Sequence, residues 1–379
     1  MKLTSGIIAL LSSCILTLTL NAQATTDQTK QIKQIESTLQ DYIEGTSYND
    51  QARILNAFSN DAELILEKPK TELWSVPVKE YATWFNSARK GIFNGRIGEI
   101  LSIEVDGKIA MAKVEILMPH KSIRFVDMFL LKQLESGWKI ISKTAASRTA
   151  INSGERILFI VSNAQFHGDT QLPAGVSFSE IVNAFDAFTK AGYTVDFVSP
   201  KGGAIPLSYI NTSIPIHKQY LYNSDFMFAI ANTKSPEQIN AEQYRAVHYV
   251  GGSNAMYQVA ENKQIQDIAM EIYEEHGGIV SSVCHGTAGI VNLKTKDGKY
   301  LVAGKRISGY PEAYENQSKA YFKQFPFLIQ KTIEERGGQF FYSEPNTPHV
   351  EIDGRIVTGQ NHLSSALVAE KMIELLNQS

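Results

Sequence analysis

GIVSSVCHGTAG, residues 278–289, holds a β-branched run, Ile279, Val280 and Val283, that leads into Cys284 and then into small, helix-compatible residues. A buried strand that ends in a tight turn and opens a helix has this pattern. At such an elbow in an α/β sheet a side chain projects into the crevice beyond the strand. The projecting atom here is a thiol. His285 lies next to it, and Ser282 and Gly286 flank the pair as residues small enough to admit a substrate. The alternative for a Cys–His dipeptide is a buried core cysteine beside an incidental histidine. The strand–turn–helix signature and the residues around it favour the elbow.

Moving outward, the surrounding chain alternates strands with helices. Arg156–Ser162 (RILFIVS) is a continuous apolar strand, and Ser179–Ala191 is an amphipathic helix ended by Gly192. Tyr193–Ser199 is a strand before a Pro-Lys-Gly-Gly turn, and Tyr244–Val250 is a strand that runs into Gly251-Gly252. Ile265–His276 is a helix with Gly277-Gly278 past its end. Buried strands alternating with helices predict a mostly parallel sheet covered on both faces. Ligands of such sheets bind at the carboxyl ends of the strands. Gly251-Gly252, Cys284 and the residues just before the first helix all fall on that edge.

The first part of the chain is built differently. Ile32, Ile35, Leu39 and Ile43 recur at helical spacing, Ile54, Leu55 and Phe58 continue on a second short helix, and Val78–Arg89 reads as a third. Strands follow: Arg96–Val105, a turn at Asp106-Gly107, Ile109–Met118, Ser122–Leu134, and Trp138–Lys143 after a turn at Glu135-Ser136-Gly137. Helices followed by an antiparallel meander make an α+β unit. The polar connection Thr149–Gly154 marks the boundary, with one domain over 25–148 and another over 154–379. The phrases VDGKIAMAKVEI and FVDMFLLKQLESGWKIISK, with the helices before them, resemble the nuclear-transport-factor-two-like fold in its SnoaL or lumazine-binding-protein-like branch. That resemblance implies a cone whose curved sheet wraps a pocket used for catalysis, ligand binding or dimerisation. Asp127, His120 and Trp84 are the polar or aromatic candidates for the pocket. The pattern favours Asp127 and His120 as ordinary strand and turn residues, and no acid–base dyad stands out.

The chain has 379 residues, 43% hydrophobic and 20% charged, as in an ordinary globular protein of two domains. Its net charge of −3 gives no reason to expect nucleic acid or an anionic membrane surface. The basic start Met1-Lys2, the apolar run Ile7–Leu20 and the small-residue site Ala22-Gln23-Ala24 read as a signal peptide over residues 1–24. The protein is therefore expected to be exported, periplasmic or secreted, with no integral membrane anchor. A lipobox reading of Leu11-Ser12-Ser13-Cys14 is the alternative, but the apolar run continues past Cys14 to Leu20. Cleavage after Ala24 would leave Cys284 as the one cysteine of the two in the chain, with no intramolecular disulfide open to it. A single free thiol kept in an oxidising compartment hints at chemistry.

Residues 155–379 resemble the ThiJ/PfpI superfamily, a flavodoxin-like, class-I glutamine-amidotransferase-like fold, in the branch with glyoxalase III enzymes and heat-shock chaperones. The matching phrases are AFTKAGYTVDFVSPKGG, VGGSNAMYQV, DIAMEIYEEHGGIVSSVCHGTAGIVNL, VAGKRISGYPEAYE and HVEIDGRIVTGQNHLSSALVAEKMIELL. The resemblance implies an α/β three-layer sandwich, a nucleophile at Cys284, its neighbouring histidine at His285 and an elbow glutamate at Glu180. The acid that pairs with the histidine falls on Glu315, or on Glu312 if the loop is spliced differently. These residue types suit carbonyl chemistry. A thiolate attacks the carbonyl, and a positive imidazole oriented by Glu315 or the helix start lowers the thiol's pKa. A solvent-accessible, low-pKa thiol is therefore expected at Cys284, and a buried carboxyl near neutrality moves protons at carbon. Glu180 equally suits a first-turn helix position, where a carboxylate is favourable. Backbone N–H groups at Gly252 and Ser253, with that of His285, are the candidate oxyanion and substrate-binding site. The family often carries a histidine after the glycines, where this chain has Ser253-Asn254.

His167, His349 and His362 form no ligand-spaced cluster, so neither a metal nor another cofactor is expected. Two classes of function follow. One is a glutathione- and cofactor-independent glyoxalase III-like enzyme, a lyase acting on a small 2-oxoaldehyde such as methylglyoxal through a hemithioacetal on Cys284. The other is a stress-related holdase chaperone that binds unfolded protein, or a redox sensor, with a Cys-His-Glu peptidase or amidase as an enzymatic variant. A homodimer is the expected assembly.

Overall fold

The computed structural model describes residues 28–68 and 72–378. The proposed signal peptide, its cleavage site and Cys14 lie outside the described residues. The chain forms two compact units, divided between Ala150 and Ile151.

The first unit opens with α1 (residues 28–47), whose Ile35, Leu39, Tyr42 and Ile43 are buried at the expected helical spacing. Asp50 caps α2 (Gln51–Ala57) by accepting from Arg53 N–H. β1 (Phe58–Glu67) and β2 (Leu73–Pro77) come next, then α3 (Val78–Ala82) and the meander β3 (Ile97–Asp106), β4 (Ile109–Met118), β5 (Ile123–Leu134) and β6 (Gly137–Thr149). The six-stranded sheet runs β2-β1-β6-β5-β4-β3. Two expectations are corrected. Phe58 starts a strand rather than continuing a helix, so a hairpin stands between the second and third helices. The third helix stops at Ala82, with only a 3₁₀ turn at Ser87–Arg89 beyond it. β1 pairs in parallel with β6, and β2 to β5 intervene in the chain between them, so no nearby turn announces the pairing.

In the second unit the strands are β7 (Arg156–Ile160), β8 (Val176–Ser177), β9 (Thr194–Val198), β10 (Leu207–Ser208), β11 (Tyr244–Tyr249), β12 (Ile279–Val283), β13 (Arg306–Ile307), β14 (Gln339–Phe340), β15 (Val350–Asp353) and β16 (Ile356–Gly359). The helices are α4 (Phe178–Lys190), α5 (Pro215–Leu221), α6 (Ser224–Ala231), α7 (Lys263–Glu274), α8 (Ile329–Glu335) and α9 (Ser365–Leu376). The main sheet runs β15-β16-β12-β11-β7-β9 and is parallel except for β15. Successive residues of one strand point to opposite faces. Accordingly Leu158, Val247, Val280 and Ile356 join the core under α7, while Ile157, Ala246, Ile279 and Val357 join the core under α4 and α9. This is the expected flavodoxin-like three-layer sandwich. Among the described residues no helix is long and apolar enough to cross a membrane.

Candidate active site

The central strands β11 and β12 are parallel neighbours, so their carboxyl ends lie side by side. Gly251 and Gly252 follow one, and Cys284 follows the other. The crossover from β7 brings β8 to the same edge, where Ser177 N–H donates to the Gly251 carbonyl at 3.1 Å. α4 then starts at Phe178, which fixes Glu180 in its first turn. Glycine is required where these segments meet. A Cβ on Gly251 would collide with Oε2 of Glu180 and lie 3.0 Å from Cβ of Cys284, and one on Gly252, at φ +110°, would meet the backbone of Gly175 and Ser177.

Cys284 itself adopts φ +56°, in the left-handed region that non-glycine residues avoid. Such a position costs about 1–3 kcal/mol and persists only where the surroundings enforce it. The segment beyond is a 3₁₀ stretch, Cys284–Ile290, instead of the α-helix that the small residues suggested. The thiol is also not the exposed, acidic group that a helix start would give. Cys284 is only 6% exposed. Burial, and then the charge of Glu180, push its pKa well above the ordinary value, against a smaller opposing effect from the His285 N–H. Ser282 and Gly286 do not open the site either. Ser282 Oγ is buried against Thr287 Oγ1 at 2.8 Å, and Gly286 packs directly on the Tyr249 carbonyl.

The imidazole of His285 turns toward the thiol, with Nδ1 3.5 Å from Sγ. Its Nε2 is 2.6 Å from Oε1 of Glu315, and Tyr321 donates its hydroxyl to Oε2 of the same carboxyl at 2.9 Å. Burial alone would raise Glu315, but the His285 and Tyr321 contacts outweigh it and hold the carboxyl below the usual range. An ionised Glu315 only accepts, so Nε2 carries the imidazole proton and Nδ1 presents its lone pair to the thiol. Tyr310 stacks on the His285 ring at 4.8 Å and Phe325 meets it edge-on at 5.6 Å, which fixes its plane. Glu312, the alternative partner, is engaged elsewhere, accepting from Lys331 N–H.

Glu180 is 2% exposed, and its Oε2 has no hydrogen bond of ordinary geometry among the described residues. Burial raises its pKa to about 8, although the Ser177 hydroxyl, the thiol and the Gly251 N–H each favour the charged form in part. A neutral carboxylic acid therefore stands beside a neutral thiol at neutral pH, and the ionised carboxyl of the site is Glu315. Ser253 begins a 3₁₀ turn capped by Gly252 and is half-buried at the same edge. Its Oγ lies 3.3 Å from Nε2 of His167, a buried residue that the histidine spacing had set aside. His167, Tyr310, Tyr321 and Phe325 are the members of the site that sequence reading missed. Their one legible signal is that His167 lies in the connection just after the first parallel strand.

In the first unit only Asp127 of the pocket candidates is interior. It pairs with buried Lys143 at 2.9 Å and accepts from the Tyr42 hydroxyl at 2.5 Å. His120 is exposed, and Trp84 is 46% exposed while packing on Trp74 and Tyr81.

Residues 172–375 match the family model described as DJ-1/PfpI family, and residues 30–145 match the one described as putative lumazine-binding. The second part is similar to Glyoxalase 3 of Candida albicans, 31% identical over 222 residues that cover 56% of this chain and 93% of that protein. It is also similar to the probable glutathione-independent glyoxalase SNO4 of Saccharomyces cerevisiae, 33% identical over 233 residues that cover 57% of this chain and 97% of that protein. The crystal structure of glyoxalase III from Candida albicans superposes with a TM-score of 0.53 at 27% identity, covering 58% of this chain and 97% of that one.

Proposed function

The chain belongs to the DJ-1/PfpI family, and from that premise we propose that residues 151–379 form a glutathione-independent glyoxalase, converting a small 2-oxoaldehyde such as methylglyoxal to a 2-hydroxy acid. The observation that carries the reading is Glu180. A buried carboxyl next to the thiol, with a pKa of about 8, is what proton transfer between two adjacent carbons needs and what binding of unfolded protein does not. The glyoxalase names of the similar proteins agree with it.

The geometry orders the steps. His285 Nδ1 takes the thiol proton as Sγ adds to the aldehyde carbon, and Glu315 stabilises the imidazolium. The imidazolium returns that proton to the new alkoxide, giving a hemithioacetal. Glu180, as carboxylate, removes the hydrogen from that carbon. The electron pair moves onto the neighbouring carbonyl oxygen to give an enediolate, the proton of the first hydroxyl passes to that oxygen, and Glu180 returns the carbon proton to the second carbon. Water then hydrolyses the thioester and releases the hydroxy acid and the thiol, so the sum is oxoaldehyde plus one water. A buried, protonated thiol is poorly suited to sensing oxidants, which react with exposed thiolate.

The test is conversion of methylglyoxal to hydroxy acid without glutathione, by wild type, Cys284→Ser and Glu180→Gln. The expected result is turnover by wild type alone. Peptide or amide hydrolysis in its place, dependent on Cys284 and indifferent to Glu180→Gln, would replace this reading with the hydrolase one.

A further inference from the structure

We propose that the Ser253 hydroxyl and His167 are the oxygen-to-oxygen proton relay of this reaction, with Ser253 touching the substrate and His167 acting through it. The proposal rests on the glyoxalase reading above. Converting the hemithioacetal to the thioester moves two protons. One goes from carbon to carbon, the work of Glu180. The other leaves the hydroxyl on the first carbon, which becomes the thioester carbonyl, and joins the oxygen of the second carbon, which becomes the hydroxyl. Glu180 is committed to carbon, and His285, which serves the first oxygen, is held with Nδ1 at the thiol and Nε2 on Glu315, so a further group is needed to carry the proton on to the oxygen of the second carbon.

The hydrogen bonds of His167 set its tautomer. Tyr257 donates its one hydroxyl proton to the Gln324 carbonyl at 3.2 Å, so its oxygen accepts from His167 Nδ1, 3.2 Å away. Nδ1 therefore carries the proton, and the Nε2 lone pair accepts from Ser253 Oγ at 3.3 Å. At rest the chain of donors runs from Ser253 to His167 to Tyr257 to the Gln324 carbonyl. A substrate hydroxyl that donates to Ser253 Oγ can pass its proton through to Nε2, and the same path returns it to the enediolate oxygen. Two proton transfers cancel at His167, and no oxidant or cofactor enters.

The placement fits. Ser253 lies two residues after Gly251, which sits directly against Glu180 and Cys284, and one after Gly252, which sits against the Gly175–Ser177 backbone. His167 is 4% exposed, and its ring packs on Tyr321 at 5.5 Å and Phe325 at 6.0 Å. Tyr321 also holds Glu315, and Phe325 also packs on His285, so one loop fixes both histidines. Burial lowers the His167 pKa against a smaller opposing effect of Glu315, which keeps the resting ring neutral and able to accept.

The experiment measures methylglyoxal turnover by wild type, His167→Gln, His167→Ala, Ser253→Ala and the double variant His167→Gln/Ser253→Ala, with iodoacetamide alkylation of Cys284 as a separate readout of the thiol. Gln keeps a polar group near Ser253 but cannot take up and release a proton. The expected result is a kcat loss on the order of 100-fold for each single variant, little change in KM, unchanged alkylation, and a double variant no slower than the worse single one. Added imidazole should restore part of the rate to His167→Ala and none to Ser253→Ala. A rise in KM with kcat intact, or additive losses without imidazole rescue, would overturn the relay. If His167→Gln does not fold, Ser253→Ala decides by the same criterion. Absence of methylglyoxal turnover by wild type removes the functional reading and the relay with it, whereas an active wild type beside unimpaired variants removes the relay alone.

Discussion

At Glu180, burial lifts the carboxyl from its ordinary 4.5 to about 8. The unfolded chain releases this proton near the lower value and the folded chain near the upper, so between them the native state holds more protons. Stability then falls as pH rises from about 4.5 to about 8. Melting temperatures of wild type and Glu180→Gln should diverge across that window, with the variant gaining on wild type toward the alkaline end. Parallel curves would mean the carboxyl titrates normally. Activity should run the opposite way. Only the carboxylate can take a proton from carbon, so kcat/KM should climb with pH toward about 8, and Glu180→Gln should lose turnover by about 10²–10⁴-fold. The thiol feels the same neighbour. Removing the Glu180 charge should move the alkylation profile of Cys284 to lower pH, since that charge raises the thiol pKa. The structure puts one residue in charge of both profiles.

Among the elements, two substitutions separate shape from stability. Asn262 caps α7 by accepting from Ile265 N–H at 3.0 Å, and α7 packs into the core on the opposite face of the sheet from α4, which carries Glu180. Asn262→Ala should cost about 1 kcal/mol and leave kcat unchanged. Gly251→Ala tests the strand end itself. The added methyl would meet Oε2 of Glu180, the Val283 carbonyl and Cys284 Cβ. Turnover should therefore collapse even in preparations that remain folded by circular dichroism. A fully active Gly251→Ala would show that Glu180 need not sit where this backbone holds it.

For the whole molecule, each unit carries its own buried charge pairing. In the second, Asp196 is held by Arg156 and Lys234, and their attraction outweighs its burial and depresses its pKa. In the first, Lys143 and Asp127 pair with side chains 5% and 2% exposed, and Lys143 also lies 5.6 and 5.4 Å from the Tyr42 and Tyr81 ring centroids. Lys143→Met would leave a buried carboxylate without its cation, at a cost of about 3–5 kcal/mol. Calorimetry should show residues up to 150 melting earlier, while methylglyoxal turnover at temperatures below that transition persists. Turnover lost in step with the first unit would mean that the site depends on it.

The sequence alone was enough for the sandwich and for its nucleophile, because both are written locally. Apolar strands alternate with capped helices, and Gly251-Gly252 and Cys284 directly follow strands whose parallel pairing puts them on one edge. Glu180 and Glu315 were legible only through resemblance, since 104 and 31 positions separate them from Cys284 and no spacing rule spans such crossovers. Tertiary structure decided the rest. The added hairpin of the first unit depends on β1 pairing with the distant β6, a contact that no turn announces. His167 entered the site because the loop after β7 folds over the strand edge and finds Ser253 and Tyr257 as partners. The ionisation states were also decided there. A cysteine at a strand end reads as reactive in sequence, but solvation and neighbouring charge set its pKa, and these exist only once Glu180 and the Cys284 thiol are buried together.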